Sequence, residues 1–421
     1  MNHAPPLADV LCAAAEIVAG VLAGRTADSM LAAVATEAQL RAATMEAAYP
    51  TLRSFGRGDF LLGHLVERSL RAPTTRGLLL VALERLETRP DQAHTVVDQA
   101  VDAAGSLSGG RHKALVNGVL RSFLRRREEL IVLADADPVA HWRHPRWWIA
   151  RVRRDHAADW EGVLAAGNSR PPMTLRVNRR RTSATEFQAR LDAAGIAARP
   201  LAEDALRLEK PLPVERLPGF AEGCCSVQDL AAQAAAGLLD AGAGMHVLDA
   251  CAAPGGKAAH LLERTDLSLL ALDADAGRSR RIDDNLRRLG LAAELRVADA
   301  RNVRSWWDGR RFDRILADVP CSASGVVRRH PDAKWLRRES DIAGFARTQA
   351  EIIDALWPTL APGGKMLYAT CSVFAEENAR QVAAFVGRHA DARLLMPVAA
   401  RTLELPDAEH DGLYYALLEK A

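Results

Sequence analysis

The stretch that decides the fold is MHVLDACAAPGGK, residues 245–257, an apolar strand that runs into a loop with two adjacent glycines. Glycines at the carboxyl end of a first strand let a ligand approach the backbone closely, and the helix that follows favours an anionic group at its amino end. The loop is not a GxGxxG fingerprint, and Ala258 after Lys257 excludes a P-loop. The pattern therefore predicts a ligand pocket in an α/β domain.

Four more strand-like segments follow in the same part of the chain. LLALDAD, AELRVAD, FDRILAD and GKMLYATC alternate with helix-forming stretches. Alternation of this kind is typical of a largely parallel sheet with helices on both faces. We expect residues 226–421 to form this domain.

Acidic residues follow two of these strands. Asp273 ends the second strand, where a carboxylate can accept hydrogen bonds from ribose hydroxyls. Asp299 ends the third and can accept a hydrogen bond from an adenine amino group. Together with the glycine loop, these positions predict a rim that binds a nucleoside.

Two of the six cysteines, Cys321 and Cys371, follow the next two strands and should face the same crevice. A thiolate that adds to carbon 6 of a cytosine makes carbon 5 nucleophilic enough to attack an electrophilic methyl group. Asp318 can assist at ring nitrogen 3, and Lys257 can support the thiolate. The residues alone leave open which cysteine is the nucleophile. No CxxC spacing is present, so no metal site is expected.

Residues 1–138 are predicted to be an all-α domain, because apolar residues recur there at helical spacing. Within it, RHKALVNGVLRSFLRRR (residues 111–127) places Leu115, Val119 and Phe123 on one face. The cations opposite are either a solvated helix end or contacts to RNA phosphates. The candidate RNA contacts in this stretch are Arg111, Lys113, Arg121, Arg125 and Arg126.

Residues 139–225 are predicted to be a basic connector and a small α+β subdomain. Ten arginines between residues 141 and 181 face three acids, and four tryptophans lie among them. Basic and aromatic residues suit RNA backbone and base contacts, but the tryptophans are equally compatible with a core between domains. Arg176, in MTLRVN, is a further candidate RNA contact.

The composition is that of an ordinary globular protein, with a net charge of +2 over 421 residues. An RNA surface must therefore arise from local clustering. The amino terminus lacks the basic region of a secretory signal, and no apolar run reaches membrane-spanning length. We expect a cytoplasmic protein that does not enter membranes.

Longer motifs carry a family resemblance. GFAEGCCSVQDLAAQ, DACAAPGGK, DVPCSASGVVRRHPDAKW, PGGKMLYATCSVFAEEN and the closing DGLYYALLEK lie between Gly219 and Lys420. With these motifs the chain resembles the RsmB/Sun (Fmu) family of bacterial 16S rRNA cytosine-5 methyltransferases, within the NOL/NOP/Sun group. The helical region resembles the NusB-type RNA-binding domain of this family. The chain departs from the family pattern at Ala323-Ser324, Leu413 and Pro50.

The resemblance implies roles for these residues. The fold would be a NusB-like helical domain, an α+β linker subdomain and a Rossmann-like class I methyltransferase domain. Cys371 would be the nucleophile, and Cys321 would assist product release. The S-adenosylmethionine pocket would be lined by Cys251, Ala252, Ala253, Pro254, Gly255, Gly256, Lys257, Asp273, Asp299 and Asp318.

The expected partner is 16S rRNA, unassembled or in an early small-subunit precursor, and the enzyme is expected to act as a monomer. Two alternatives stay open at this point. The substrate could be a tRNA cytosine, because the catalytic domain is shared by enzymes that act on both RNAs. The second alternative is a catalytically dead assembly factor. The intact cysteines and cofactor loop argue against it. A nicotinamide dehydrogenase would require the missing glycine fingerprint.

Overall fold

The computed structural model of the protein describes residues 4–34, 37–67, 70–395 and 403–421. The helices of these ranges are α1 Leu7–Leu22, α2 Ala27–Val34, α3 Ala38–Arg53, α4 Phe55–Leu65, α5 Pro73–Thr88, α6 Ala93–Ser106, α7 Lys113–Arg125, α8 Arg127–Ala136, α9 Pro138–Trp142, α10 Arg146–Asp155, α11 Trp160–Asn168, α12 Ala184–Ala193, α13 Leu230–Leu238, α14 Gly256–Arg264, α15 Ala276–Leu289, α16 Ala333–Leu336, α17 Asp341–Leu356 and α18 Ala379–Arg388. The strands are β1 Met173–Val177, β2 Ala198–Ala202, β3 Ala205–Leu208, β4 Cys225–Val227, β5 His246–Ala250, β6 Ser268–Asp273, β7 Glu294–Val297, β8 Phe312–Asp318, β9 Leu360–Thr370, β10 Ala392–Leu394, β11 Leu403–Glu404 and β12 Leu413–Lys420.

The chain divides into two compact units. One comprises Met1–Ser169 and Val327–Glu339, and the other comprises Arg170–Val326 and Ser340–Ala421. The first is helical, and the second contains both sheets. The predicted three-part division at residues 138 and 225 stays a prediction, although residues 139–169 pack with the helical unit.

The helical unit is built around α1, which packs on α3, α5 and α6. Its apolar side chains form one core of Leu, Val, Ile and Ala. The predicted amphipathic stretch forms α7, where Val119 and Phe123 are buried and Leu115 packs partly buried against the core. Among the connector tryptophans, Trp148 is buried and Trp142 makes an edge contact with Trp160, so part of this cluster is core.

A segment far along the chain, residues 327–339, completes the helical unit. Its Lys334 is fully buried, and Nζ donates hydrogen bonds to the carbonyls of Arg53 (2.8 Å) and Arg143 (3.0 Å) and to Oδ1 of Asn168 (2.8 Å). Burial lowers the pKa of this lysine well below its usual value. The three acceptors match the three N–H bonds of the ammonium form, so they offset this cost of burial and fix the segment in place.

The second unit begins with a small antiparallel sheet in the order β2-β3-β1-β4. Helix α12 packs on it and starts with a capping box, in which Ser183 and Glu186 satisfy each other's backbone N–H. Phe187 and Leu191 of α12 bury their side chains in its core. This is the small α+β subdomain that the sequence predicts, with β4 extending slightly beyond its expected end.

The large sheet has the order β10-β12-β9-β8-β5-β6-β7, with β11 paired to β12. Strands β5 to β9 are parallel, and β12 runs antiparallel to β9. The chain winds from β5 outward to β7 and then returns to β8 on the other side of β5. A crevice opens at such a switch point, outside the carboxyl ends of the strands, where α/β proteins bind ligands. Among the described residues, no helix is both long and apolar enough to cross a membrane.

Candidate active site

The glycine loop lies at the predicted place, between β5 and α14. Gly255 has φ of +94°, and a Cβ there would lie 3.1 Å from atoms of Ile282, so both conformation and space favour glycine. Two side chains of α15 hold the loop carbonyls: Arg278 donates to Ala253 O (3.0 Å) and Asn285 to Pro254 O (2.9 Å). The loop is therefore held rigidly at the start of α14.

The two acidic strand ends lie beside this loop. Asp273 is buried and accepts hydrogen bonds from the backbone N–H of Ala253 (3.1 Å) and of Asp275 (3.0 Å). Asp299 is more exposed and pairs with Arg301 at 2.7 Å. A cavity connects them, and its lining includes Cys251, Leu272, Asp273, Asp299, Pro320, Thr348 and Ile352. Apolar walls with carboxylates at the edge suit an adenosine.

Lys257 and Asp318 form an ion pair in the crevice, with Nζ 2.6 Å from Oδ2. Burial disfavours the charge of Lys257, but the carboxylate of Asp318 outweighs it, so the pKa of Lys257 is raised above its usual value. The lysine therefore stays an ammonium and cannot serve as a base. Its charge also acts on Cys371.

The two predicted cysteines meet at the carboxyl ends of β8 and β9, with their Sγ atoms 3.1 Å apart. Contact with the sulfur of Cys371, burial and the charge of Glu377 raise the pKa of Cys321 well above its usual value. Cys321 is therefore held as a neutral thiol that can donate its proton toward the sulfur of Cys371. The fold brings both thiols together with the Lys257–Asp318 pair.

Other groups in this crevice were assigned no role from sequence. Asp249 lies in the quoted strand, and burial raises its pKa well above its usual value. Tyr415, from β12, is fully buried and donates to Ala231 O at 2.8 Å. Glu377 is buried next to both cysteine loops. All three lie in the motifs quoted above, so the sequence marks their positions. Their roles depend on contacts that only the structure shows.

The candidate RNA contacts of the helical unit lie on and around α7. Arg111, Lys113, Arg121 and Arg125 are exposed, and Arg121 donates to Asn117 Oδ1 at 2.9 Å. Arg126 pairs with Glu129 at 2.8 Å. Their placement on a surface is compatible with phosphate contacts, and that role stays a prediction.

Arg176 requires a correction, because its side chain is fully buried in β1. Nε and Nη2 donate to the two oxygens of Glu263 at 2.8 Å each, and Nη1 donates to Gln228 Oε1 and to Gly256 O. No N–H of this arginine points to solvent, so the expectation that it contacts RNA is wrong. Instead, the side chain braces the first residue of α14, which belongs to the glycine loop.

A larger cavity of about 600 Å³ lies elsewhere in the second unit. Its lining includes Arg179, Leu230, His260 and His410 and none of the predicted site residues. Among the described residues, no cluster of three or more His, Cys, Asp or Glu is arranged to hold a metal ion.

Family models match three parts of the chain. Residues 11–125 match the NusB family, residues 144–215 the ferredoxin-like domain of RsmF/B-like methyltransferases, and residues 236–419 the 16S rRNA methyltransferase RsmB/F. The protein PH0851 superposes on the whole chain with a TM-score of 0.82 at 24% identity, covering 100% of both chains. NSun6 from Pyrococcus horikoshii, solved with SFG, covers 66% of this chain and 98% of its own, with a TM-score of 0.57 at 19% identity.

The open sheet, its switch point and the loop with its acidic rim define an S-adenosylmethionine-dependent methyltransferase of class I. Ribosomal RNA small subunit methyltransferase B of Vibrio cholerae is 45% identical over 89% of this chain and 88% of its own length. The chain therefore belongs to the RsmB family of 16S rRNA methyltransferases. The predicted fold and cofactor are thereby confirmed.

Proposed function

We propose that this chain transfers the methyl group of S-adenosylmethionine to carbon 5 of a specific cytosine in 16S rRNA, through a covalent bond between Cys371 Sγ and cytosine carbon 6. The observation that carries the proposal is the pair of thiols, 3.1 Å apart at the ends of two neighbouring strands. Methyl transfer to a nitrogen or an oxygen of RNA needs no cysteine nucleophile. Carbon 5 does need one, because it is a poor nucleophile until carbon 6 is substituted.

The residues of the crevice fit the cofactor. Asp273 uses each oxygen for one backbone N–H, which leaves acceptor positions for ribose hydroxyls. Gly255, with φ of +94°, turns the loop into α14 where another residue would be strained. When bound, the cofactor supplies an electrophilic methyl group.

The first step on the RNA is addition of the Cys371 thiolate to carbon 6. It breaks the carbon 5–carbon 6 double bond and makes carbon 5 nucleophilic. The Lys257 ammonium stabilises the thiolate electrostatically, and it keeps Asp318 in place through the 2.6 Å contact. The other oxygen of Asp318 is then available to accept a hydrogen bond from ring nitrogen 3 when that nitrogen takes up a proton as the sulfur adds.

After carbon 5 has taken the methyl group, loss of its proton to a base re-forms the double bond and expels the sulfur of Cys371. Cys321 assists this step, because its neutral thiol can donate a hydrogen bond to the departing thiolate. The charges around the pair support this division of roles. Lys257 acts on Cys371, whereas Glu377 opposes ionisation of Cys321.

The target base must leave its stack to enter the crevice. We therefore propose that the enzyme acts as a monomer on unassembled 16S rRNA or an early precursor, where the target can be splayed out. The basic surface of α7 would bind the surrounding backbone.

The test incubates the protein with labelled S-adenosylmethionine and deproteinised small-subunit rRNA from a strain that lacks the enzyme. We expect 5-methylcytidine at a single position after nuclease digestion and mapping. Cys371→Ala should abolish transfer while cofactor binding, measured by calorimetry, is retained.

The matched variant is Cys321→Ala, which should accumulate a protein–RNA adduct that survives denaturation. An adduct in the Cys371 variant instead would reverse the two roles. Label in tRNA and not in rRNA would contradict the substrate, and failure to bind the cofactor would revive the assembly-factor alternative.

A further inference from the structure

Glu377 is a fully buried carboxylate that lies between the two cysteine-bearing loops. Oε1 accepts hydrogen bonds from the backbone N–H of Ser322 (2.8 Å) and from Gln349 Nε2 (3.0 Å). Oε2 accepts from the hydroxyls of Ser322 (2.5 Å) and Ser372 (2.6 Å). Four donors on one carboxylate fill its usual acceptor positions and compensate its burial.

The serines that bind this carboxylate directly follow the two reactive residues. Ser322 follows Cys321, and Ser372 follows Cys371. A third hydroxyl, that of Ser324, lies 3.1 Å from Ser322 Oγ and 3.0 Å from Ser372 Oγ, and it accepts from Val373 N–H. One side chain therefore ties together two loops that lie 50 residues apart.

Further hydrogen bonds extend this network to residues that precede the two cysteines. Gln349, which binds Glu377, also donates to the carbonyl of Pro320, just before Cys321 (3.0 Å). Tyr368, on β9 shortly before Cys371, donates to the carbonyl of Glu377 at 2.6 Å. Both sulfur atoms are thus set by one buried polar network, and such networks specify a single geometry when fully satisfied.

We propose that Glu377 is a positioning residue that fixes the placement of the Cys321 and Cys371 thiols relative to each other. This inference rests on the proposed two-cysteine function. Glu377 touches neither RNA nor cofactor in this role. Its hydrogen bonds fix the two loops, and its negative charge helps to keep the proton on Cys321.

Among the described residues, ionisable groups from several elements surround the cysteine pair. Glu377 opposes ionisation of Cys321, whereas Lys257 interacts attractively with the sulfur of Cys371. Two buried tyrosines complete the surroundings, and burial raises the pKa of both, so they stay neutral at working pH. The groups that face the pair are Lys257 from α14, Asp318 from β8, Tyr368 from β9, Tyr415 from β12 and Glu377 itself.

The experiment compares Glu377→Gln with the wild type and with the control Asp354→Asn, which removes an exposed carboxylate of α17 that pairs with Arg388. Glutamine keeps the size of the side chain, but its NH2 group then faces hydroxyl and N–H groups that are themselves donors. We expect kcat to fall by about 10- to 100-fold from misplacement of the thiols, with KM and cofactor affinity within about threefold.

A second readout separates positioning from general damage. Alkylation of Cys321, whose pKa the charge of Glu377 raises, is followed with iodoacetamide and peptide mass spectrometry as a function of pH. Without the buried charge, the midpoint should move to lower pH, although methylation becomes slower. Loss of stability alone would not lower this midpoint. If Glu377→Gln does not fold, Ser372→Ala, which removes one of the four donors but keeps the charge, is tested for the same fall in kcat with little change in KM and cofactor affinity.

The proposal is overturned if Glu377→Gln keeps the wild-type kcat, or if kcat and cofactor binding fall together with no shift of the alkylation midpoint. Failure of the proposed function looks different. The wild type would then form no 5-methylcytidine, although the alkylation midpoint would still respond to the variant.

Discussion

The buried pair of Arg176 and Glu263 offers a quantitative test of the fold. The arginine side chain is fully buried and that of Glu263 is 2% exposed, and they share two hydrogen bonds of 2.8 Å. Arg176→Met removes one charge and leaves the carboxylate uncompensated inside the protein. Removing one partner of such a pair costs about 3–5 kcal/mol of unfolding free energy.

The corresponding shift in melting temperature follows from the size of the unit. The second unit spans residues 170–326 and 340–421. For a body of this size, each kcal/mol lowers Tm by about 2–4 °C, so we expect a decrease of roughly 6–20 °C. Calorimetry or urea unfolding of the full chain measures it, with the transition of the second unit followed separately.

Two further variants sharpen the result. Arg180→Met removes a neighbouring arginine whose ion pair with Asp266 is exposed, and it should cost less than about 1 kcal/mol. Arg176→Met with Glu263→Leu should recover most of the loss, because no uncompensated charge remains. An Arg176→Met variant that kept the wild-type Tm but lost RNA affinity would contradict the buried ion pair, since the side chain would then contact RNA.

Two other predictions concern pH and salt. Burial, followed by nearby arginines, lowers the pKa of His260 to about 2, so the folded protein holds it neutral while the unfolded chain protonates below about pH 6.5. The free energy of unfolding should therefore fall as pH drops below that value, by about 2 kcal/mol at pH 5 from this group. Urea unfolding at pH 7 and pH 5 should show that His260→Leu loses less stability than the wild type. Equal losses in the two proteins would contradict this. Replacing Arg121 and Arg125 together by Gln should reduce the salt slope of RNA binding by about 1.4–1.8, if each contacts one phosphate. Titrations at several salt concentrations measure the slope, Arg287→Gln on α15 is the control, and an unchanged slope would place the RNA elsewhere.

The sheet and its strand ends could be predicted from sequence because their signals are local. Most of the five parallel strands contain a short apolar run, and the residues at their carboxyl ends, such as Asp273 and Cys371, must lie at the same edge. That the two cysteines lie near each other could therefore be predicted from the order of the motifs alone. Their spacing of 3.1 Å needed the structure, because it depends on Glu377 and two serines from separate loops.

Arg176 shows where local reasoning fails. In an alternating strand, an arginine among arginines is expected to face water. Here it faces inward, because the carboxylate of Glu263, 87 residues later in the chain, pairs with it in the interior. A pair so distant in sequence leaves no local pattern. The same holds for Lys334, whose acceptors include a carbonyl 281 residues away.

The Lys334 segment bears on how this protein can be taken apart. Residues 327–339 belong to the helical unit, although the chain on both sides of them belongs to the other. A fragment that ends at Ser169 would lack the amine that its three acceptors bind, and a fragment that starts at Arg170 would carry that amine without them. No single cut yields two complete halves. Gain or loss of the helical part by simple fusion would thus have required compensating changes in the catalytic part.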